Sequence, residues 1–405
     1  MKILFISNYL YLDGPPIALF RIVRELAKIS GLEIAVLSYL DGSIKKWYEN
    51  IGISPIIANC YEPIIENINS LVKTIKEEKP DLVVSNMLDT INGCFAANIC
   101  NLPSVLYVHE DWPAINFSTL HLFAYKLSDL IVFPSKYQLD VYKPLLDGVK
   151  TKVITNGIPL SEFSAASIKQ SKEEIKNKYK LPLDKKIVST IGLVCNRKRQ
   201  DLFIFAAHEI LKLRDDIIFL IVGRYHEDDN YYKLLKKYVQ TGGLENKIIF
   251  AGEKEAIGEI YHISDLIAHP TSNDVSPLAI SEALAFKKPV IATSIDGIPE
   301  LIENGQNGLL IEQNNSQQLK EGIIKIIDNY LFFQNNLERT HKEIQNITTA
   351  SSDFFDVIKN LKFKKKEFDV KMLKDEIEFT VKKGFSLKFK EITPLIVRKP
   401  ASKFK

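Results

Sequence analysis

Residues 269–302 read HPTSNDVSPLAISEALAFKKPVIATSIDGIPELI, which contains a strand end, a loop, a helix, a strand and another loop in that order. Ser276 is a suitable N-cap, and Pro277 suits the first helical position. The predicted helix runs from Pro277 to about Lys287, because Pro289 cannot extend it. This succession is typical of a sheet whose strands alternate with helices.

Two carboxylates flank the start of this predicted helix. Its first amides, on Leu278 and Ala279, point out of the helix and favour an anion. Glu282 lies four residues after Leu278 on the same face, and its side chain leans back toward the helix start. Asp274 lies in the loop just ahead. Two interpretations are open: Glu282 extends to solvent and Asp274 caps the helix, or both carboxylates belong to a binding site.

Short apolar runs alternate with amphipathic segments on either side of this region. Apolar strands that alternate with helices indicate parallel sheets covered on both faces. The predicted strands are 2–7, 33–39, 53–58, 81–85, 103–108, 129–133 and 151–154, followed by 186–191, 217–222, 247–250, 265–268, 289–293 and 308–311.

The alternating pattern is interrupted by a polar segment, LSEFSAASIKQSKEE, which follows Pro159. We place the domain linker there and predict an N-terminal domain over 1–165 and a C-terminal domain over 166–340. Residues 341–405 are expected to form helices and a basic tail, part of which packs back on the N-terminal domain. Ligands of doubly wound sheets bind at the carboxyl ends of the strands, so two such domains facing each other would create a cleft.

Composition and charge exclude several classes of protein. No apolar run approaches the roughly 18–20 residues that cross a bilayer. Four cysteines without metal-ligand or dense disulfide spacing indicate reduced thiols in a cytosolic protein. Residues 361–405 carry 14 Lys or Arg and 6 Asp or Glu, which leaves 39 bases and 44 acids in residues 1–360 of the 53 and 50 in the chain. A mildly acidic body argues against nucleic-acid binding.

The basic tail, residues 363–405, has two interpretations. One is a solvated helix and a frayed end, since termini are often mobile. The other is peripheral attachment to the anionic cytoplasmic face of a membrane, because interfacial segments combine Lys and Arg with aromatic residues. The aromatic residues of the tail are Phe363, Phe368, Phe379, Phe385, Phe389 and Phe404.

Several residues with binding or catalytic chemistry follow predicted strands, at the edge where the cleft would lie. Gly14 precedes the first helix and lets a ligand approach the backbone, although the dinucleotide fingerprint G-x-G-x-x-G is absent. His109, in VLYVHEDW, ends a predicted strand, where it is either a buried histidine that satisfies a backbone partner or a site residue facing the cleft. The turn Arg197–Arg199 is interpreted either as solvated or as a clamp for a diphosphate. Gly223 makes a second glycine turn after a strand.

These features together resemble the large family of retaining GT-B-fold glycosyltransferases that includes sucrose synthase-like and phosphatidylinositol mannosyltransferase-like enzymes. The resemblance spans roughly residues 1–330. Its most specific motif is the E-x7-E element, with Asp274 at the first acidic position and Glu282 at the second. The other motifs, in chain order, are the Gly14 loop, YVHED, VITNGIPLSEF, IGLVCNRKR, IVGR, IIFAGE and ISDLIAHPT.

The resemblance implies a GT-B fold of two Rossmann-like, doubly wound parallel-sheet domains. A nucleotide-diphosphate sugar would bind mainly to the C-terminal domain, and a glycan or lipid-linked acceptor mainly to the N-terminal one. The residue roles that it implies are Lys198 on the diphosphate, Glu282 on the ribose, Asp274 on the transferred sugar, the amides of Leu278 and Ala279 on phosphate or sugar oxygens, His109 beside the sugar, Gly14 beside the diphosphate, and Phe250 and Gly252 against the base. Arg197, Arg199, Gly223 and Ser276 complete the predicted donor site.

The resemblance further implies sugar transfer with retention of configuration and without a cofactor. A metal is not expected, since the sequence has no D-x-D carboxylate pair. Lys198, a neighbouring Arg and helix amides would neutralise the leaving diphosphate. The acceptor hydroxyl would attack from the same face, so no general base is required on the opposite face, unlike in an inverting glycosidase.

Three departures from the family pattern concern the site. Asp274 is one methylene shorter than the usual Glu, Leu193 stands where the family has Arg, and Gly14–Pro15 replaces Gly-Gly. Arg197 or Arg199 is expected to supply the missing charge. The leading hypothesis is an active transferase that builds a surface polysaccharide, lipopolysaccharide or glycolipid. The alternatives are a catalytically weak or inactive binding subunit and a GT-B-fold sugar-nucleotide epimerase.

Overall fold

A computed structural model describes residues 1–58, 64–110, 119–340 and 346–361. The described residues divide into two compact units, of which the N-terminal unit comprises residues 1–157 and the last helix, Ile347–Lys359. The C-terminal unit comprises residues 158–346. The predicted basic tail and Asp111 of the VLYVHEDW segment lie outside the described residues.

The described residues of the N-terminal unit form a parallel sheet of seven strands in the order β3-β2-β1-β4-β5-β6-β7. The strands are β1 (Lys2–Tyr9), β2 (Glu33–Leu40), β3 (Ile56–Ile57), β4 (Leu82–Asn86), β5 (Ser104–Tyr107), β6 (Leu130–Phe133) and β7 (Thr151–Val153). The helices between them are α1 (Gly14–Leu26), α2 (Lys45–Glu49), α3 (Ile64–Glu78), α4 (Asn92–Ile99), α5 (Thr119–Leu127) and α6 (Lys136–Tyr142).

The described residues of the C-terminal unit form a parallel sheet of six strands in the order β10-β9-β8-β11-β12-β13. The strands are β8 (Lys186–Ile191), β9 (Ile217–Val222), β10 (Ile248–Gly252), β11 (Leu266–His269), β12 (Val290–Thr293) and β13 (Gly308–Ile311). The helices are α7 (Lys172–Lys178), α8 (Gln200–Leu211), α9 (Asn230–Thr241), α10 (Ile257–Ile263), α11 (Leu278–Ala285), α12 (Ser316–Asp328) and α13 (Tyr330–Thr340), and the last helix of the chain is α14 (Ile347–Lys359).

Helices cover both faces of each sheet, which explains why the strands are continuous apolar runs. In the N-terminal unit one face packs against α3, α4 and α5, and the other packs against α1, α2 and α14. In the C-terminal unit one face packs against α8, α9 and α12, and the other against α7, α10 and α11. The two parallel α/β sheets predicted from the sequence are confirmed. No helix in the described part of the chain is both long and apolar enough to span a membrane.

The first helix begins earlier than the sequence pattern indicated. Gly14 was expected to precede the helix, whereas it is the first residue of α1. The side chain of Asp13 accepts a hydrogen bond from the amide of Gly14, and prolines occupy the positions that follow. Proline has no amide hydrogen to lose in a first helical turn, so Pro15 and Pro16 belong to the helix instead of preceding it.

The order of both sheets reverses at one place, between β1 and β4 in the N-terminal unit and between β8 and β11 in the C-terminal unit. The loops that leave neighbouring strands at such a switch point diverge to opposite faces, and the crevice between them is the usual ligand site of a doubly wound sheet. Gly14 follows β1, Lys198 follows β8 and Asp274 follows β11, so predicted site residues lie at both switch points.

Glycines end the strands on one side of the C-terminal switch point. The amide of Gly223 donates to the carbonyl of Gly252 at 3.0 Å, and the amide of Gly192 donates to Val222 at 2.9 Å. Gly223 has a φ of +147°, and a Cβ there would overlap the backbone carbonyl of Gly192. The loops after β8 and β9 therefore approach more closely than any side chain would allow.

Gly223→Ala is expected to lower the free energy of unfolding by more than about 3 kcal/mol, because it adds a backbone overlap to an unfavourable φ. The matched control is Gly243→Ala in the same unit, where φ is +64° and nothing lies within 4 Å of an added Cβ. That change should cost only about 1 kcal/mol. Equal losses for the two variants in urea unfolding would contradict the close approach.

Candidate functional site

The loop after β8 is held in one conformation by a buried glutamine. Gln200, at the start of α8, is 1% exposed. Its side-chain oxygen accepts the amide of Cys195 at 3.3 Å, and its side-chain nitrogen donates to the carbonyl of Leu193 at 3.0 Å. Both polar ends of the amide are used, so the loop that carries the basic turn is positioned by side-chain hydrogen bonds.

The loop after β11 is hydrogen-bonded to the basic turn. The carbonyl of Arg197 accepts from the amide of Ser272 at 2.8 Å and from the hydroxyl of Thr271 at 3.0 Å. The guanidinium of Arg197 donates to the carbonyl of Asn273 at 3.0 Å. The hydroxyl of Thr293, at the end of β12, donates to the carbonyl of Thr271 at 2.6 Å. The structure thus brings together the two loops that the sequence singled out separately.

Asp274 is the centre of this arrangement. Its Oδ2 atom forms an ion pair with Lys198, accepts a hydrogen bond from His269 Nε2 at 3.1 Å, and lies 3.8 Å from Arg197 Nη1. The amide of Asp274 donates to the carboxylate of Asp296 at 2.7 Å. Asp274 was open to interpretation as a simple helix cap, but its side chain binds cations and a histidine instead.

Charge stabilises the ionised form of this carboxyl. Burial opposes ionisation, but the ammonium of Lys198, the hydrogen bond from His269 and the guanidinium of Arg197 outweigh it and hold the pKa of Asp274 well below its usual range. Burial, together with the charge of Lys198, lowers the pKa of His269. Asp274 is therefore an anion and His269 a neutral imidazole at physiological pH.

The three consecutive basic residues have different partners. Arg199 has a left-handed backbone conformation with φ of 53°, and its guanidinium binds the carboxylate of Asp201 at 2.9 and 2.8 Å. It also donates to the side chain of Asn314. The side chains of Arg197 and Lys198 are close to the carboxylate of Asp274, whereas Arg199 binds other residues. Of the two arginines expected to replace the charge missing at Leu193, the structure places Arg197 beside the site.

Helix α11 begins one residue later than predicted. Pro277 is the N-cap with extended φ and ψ of −66° and 116°, so Ser276 precedes the cap and Leu278 is the first helical residue. Helical hydrogen bonding begins with the amides of Ile280 and Ser281, which donate to the carbonyl of Pro277 at 3.2 and 3.4 Å. The amides of Leu278 and Ala279 precede these bonds, as an anion-binding helix start requires.

Glu282 is buried and held by a tyrosine, so its carboxylate does not extend to solvent. It is 6% exposed, and its Oε2 atom accepts the hydroxyl of Tyr261 at 2.8 Å. The ring of Tyr261 stacks on Phe286 with centroids 5.6 Å apart. A buried carboxylate is retained only where hydrogen-bond donors face it. The solvated interpretation of Glu282 is therefore wrong.

Of the two residues predicted to contact a nucleotide base, Phe250 packs in the core and Gly252 has open space beside its backbone. Phe250 packs edge-on against Tyr232 at 5.3 Å and against Tyr225 at 6.4 Å, and it belongs to the core beside α9. Gly252 has a φ of +72°, and a Cβ added there would meet only the ammonium of Lys254, at 4.0 Å. Contact with a base through the backbone of Gly252 stays a prediction, as does the role of Gly223.

His109 in the N-terminal unit is a buried neutral imidazole. It is 9% exposed, and its Nε2 atom lies 2.9 Å from Oδ1 of Asn86 at the end of β4. Burial lowers the pKa of His109 to about 3. A neutral ring that donates from Nε2 to an amide oxygen keeps Nδ1 as an acceptor. At Gly14, nothing lies within 4 Å of an added Cβ, so the backbone there is open to approach.

Two partly buried carboxyl groups lie at the N-terminal switch point. Asp89 accepts the side-chain amide of Asn8 at 2.8 Å, and Glu110 accepts the backbone amides of Leu88 and His109 at 3.0 and 3.1 Å. Burial raises the pKa of Asp89 to about 6. Burial and the charge of Asp89 raise the pKa of Glu110 to about 8. The two carboxyls therefore resist ionising together.

Four residues that matter to these sites were not recognised in the sequence: His269, Tyr261, Asp296 and Asp89. A polar residue that ends an apolar strand, as His269 does in LIAH, is a usable signal, because such residues lie at the ligand-binding edge. Tyr261 and Asp296 carry no local signal. Across residues 1–58, 64–110, 119–340 and 346–361, no three His, Cys, Asp or Glu side chains are grouped so that they could hold a metal ion.

Two family profiles match this chain in succession. The profile described as Glycosyltransferase Family 4 matches residues 14–162, and the profile described as Glycosyl transferases group 1 matches residues 171–349. Their boundary lies close to the division between the two structural units, at residues 157 and 158. Each profile therefore covers most of one of the two units.

Individual proteins show the same likeness. The UDP-Gal:alpha-D-GlcNAc-diphosphoundecaprenol alpha-1,3-galactosyltransferase of Escherichia coli is 26% identical over 325 residues, which are 76% of this chain and 80% of the relative. The lipopolysaccharide core biosynthesis mannosyltransferase LpsB of Rhizobium meliloti is 29% identical over 183 residues, which are 44% of this chain and 51% of the relative. The crystal structure of Anabaena HepE with UDP and glucose has a TM-score of 0.77 at 23% identity, covering 89% of this chain and 100% of that chain. The structural likeness shows the GT-B fold.

Asp89→Asn is expected to reduce the loss of stability between pH 5 and pH 8. The folded protein keeps protons on Asp89 and Glu110 at pH values where the unfolded chain has released them, so stability falls as pH rises through this range. Asparagine still accepts from Asn8 but removes the charge that raises the pKa of Glu110. The fall should shrink by about 1 to 2 kcal/mol. Thermal unfolding across the pH range measures it.

The control for this test is Asp140→Asn, an exposed position in α6 of the same unit. Its stability profile should follow that of the parent protein. Identical pH profiles for the parent and Asp89→Asn would show that the carboxyls of Asp89 and Glu110 do not interact.

Proposed function

This chain belongs to the GT-B-fold glycosyltransferases of family 4 and group 1, and we propose that it moves a sugar from a nucleotide-diphosphate sugar to a hydroxyl acceptor. One observation carries the assignment of the site. The ion pair of Lys198 and Asp274 lies at the switch point, and the helix that follows holds a buried carboxylate, Glu282.

Glu282 suits recognition of the ribose. A carboxylate accepts hydrogen bonds from neighbouring hydroxyl groups, and Tyr261 fixes its orientation through Oε2. We propose uridine as the first base to test, because the Escherichia coli relative is named for a UDP-sugar and the HepE crystal structure contains UDP.

Lys198 and Arg197 suit the diphosphate. The ammonium of Lys198 has three donor hydrogens, so it can hold Asp274 and a phosphate oxygen together. Arg197 has 45% of its side chain exposed, and it is hydrogen-bonded to Thr271 and Asn273 in the loop that precedes α11. With the amides of Leu278 and Ala279, these groups would neutralise a leaving diphosphate without help from a metal.

Asp274 suits the hydroxyl groups of the transferred sugar. Within the described residues, its carboxylate makes its polar contacts through Oδ2, so Oδ1 can accept from a ligand. We propose transfer with retention: the acceptor hydroxyl attacks on the face that the diphosphate leaves and gives its proton to the departing phosphate oxygen. In that scheme Asp274 orients the sugar and is not a nucleophile.

The acceptor and the setting are also part of the proposal. We assign the acceptor to the N-terminal unit, where Gly14 and His109 lie at the carboxyl ends of the strands. A role in surface polysaccharide, lipopolysaccharide or glycolipid synthesis agrees with the names of the relatives. We propose that this role is carried out at the cytoplasmic face of a membrane. A catalytically weak binding subunit is the second candidate, because Leu193 replaces an arginine of the family pattern.

Lys198→Met is expected to lower the rate of sugar transfer by about 100-fold, because it removes charge stabilisation of the leaving group. Purified protein would be incubated with a panel of UDP-, GDP- and ADP-sugars, with release of the nucleoside diphosphate as the measurement. The control is Lys237→Met, an exposed position in α9. Binding without turnover by the parent protein would favour the second candidate, and neither binding nor turnover of any sugar nucleotide would overturn both.

Glu282→Gln is expected to weaken binding of the nucleoside diphosphate by roughly tenfold, because the amide has one acceptor oxygen where the carboxylate has two. Tyr261→Phe should have a smaller effect in the same direction. Calorimetric titration with UDP measures both. The exposed control Glu245→Gln should bind like the parent protein, and unchanged affinity in Glu282→Gln would remove the ribose from its assigned role.

A further inference from the structure

His269 occupies an unusual place for a polar residue. It is the last residue of β11, its side chain is 2% exposed, and the strand before it is apolar. Its carbonyl accepts the hydroxyl of Thr293 at 3.3 Å, which fixes the backbone at the strand end. The imidazole is thus held rigidly beside the switch point, where the loop that carries Asp274 begins.

The imidazole has one defined partner on its Nε2 side. Nε2 lies 3.1 Å from Oδ2 of Asp274. A carboxylate can only accept, so a neutral imidazole must carry its proton on Nε2 and donate it to Asp274. Lys198 binds the same oxygen, but an ammonium attracts the carboxylate as a point charge without preferring one orientation.

Three constraints together set the direction of the carboxylate. His269 at the end of β11 and Lys198 in the loop after β8 both hold Oδ2, and Asp296 holds the backbone amide of the same residue. An aspartate side chain has two rotatable bonds, so fixing one oxygen and the backbone also fixes the other oxygen. The position of Oδ1 is therefore determined by the protein, to within the precision that recognition of one hydroxyl group requires.

We propose that His269 is a positioning residue that orients the Asp274 carboxylate and thereby determines which configuration of a sugar hydroxyl the enzyme accepts. The inference rests on the proposed function, in which Asp274 faces the transferred sugar. Without His269, Lys198 would still neutralise Asp274 and still bind the diphosphate. The carboxylate would rotate about its ion pair, and its contact with the sugar would lose direction.

The test compares His269→Leu, which removes the donor, with His269→Gln, which keeps an N–H donor on a flexible side chain. The readouts are the dissociation constant for UDP and kcat/KM for two donors that differ in the configuration of one hydroxyl, UDP-glucose and UDP-galactose. His208→Leu is the matched control, since His208 lies in the same unit and its imidazole bonds only the hydroxyl of Tyr238 among the contacts that the structure describes.

For His269→Leu we expect kcat/KM for the preferred donor to fall by roughly tenfold or more and the ratio between the two donors to approach one. The dissociation constant for UDP should stay within about twofold, because Glu282 and Lys198 are untouched. His269→Gln should recover part of the ratio. If His269→Leu does not fold, an unchanged donor ratio in His269→Gln and His269→Asn would overturn the inference.

The outcomes separate this inference from the proposed function. An active His269→Leu variant that keeps the parent ratio between donors would overturn the role of His269 and leave the transferase function standing. An equal loss of UDP affinity and turnover would also overturn it, because the histidine would then support the whole site and not the sugar contact. A parent protein that transfers no sugar would overturn the proposed function, and the inference with it.

Discussion

The ion pair between Lys198 and Asp274 is the interaction on which the C-terminal site depends. Removing a carboxylate from water costs several kcal/mol unless cations or hydrogen-bond donors face it, and Asp274 has two cations and a histidine around one oxygen. The pair joins the loop after β8 to the loop after β11 across the switch point. Gly192 and Gly223 let the backbones of the loops after β8 and β9 approach each other. Gln200 fixes the loop after β8, which supplies the cation Lys198. The position of Asp274 thus depends on Lys198, and the position of Lys198 depends on the loop that Gln200 fixes.

The architecture could be predicted from the sequence because it follows from local patterns. Buried parallel strands are apolar runs, and each run that we identified corresponds to a strand of the two sheets. The ends of elements were less predictable. Pro15 extended α1 and Pro277 delayed α11, since proline fits a first helical turn as well as the position before it. Glu282 is buried and hydrogen-bonded, as a single charge in an apolar segment requires. Its role in donor binding, like that of Lys198, stays a prediction.

The contacts between distant segments could not be predicted. Arg199 was grouped with Lys198 by its place in the chain, but a left-handed backbone turns it toward Asp201 and Asn314. His269 and Asp274 are close in sequence, yet their hydrogen bond depends on a loop that is fixed by Thr271 and Thr293. The pairing of Asp89 with Glu110 joins two different strand ends. Proximity of this kind is a property of sheet order and not of spacing in the sequence.

The return of the last helix to the first sheet affects how the protein can fold during synthesis. Phe354 of α14 packs against Phe5 and Tyr107, with ring centroids 6.4 and 6.1 Å apart, and Ile347 and Ile358 complete the same core. That core therefore stays incomplete until the ribosome has released almost the whole described chain, while the C-terminal unit has all its strands earlier. The unit that is translated first is therefore completed last, and the part of its sheet face that α14 covers stays exposed to aggregation until then.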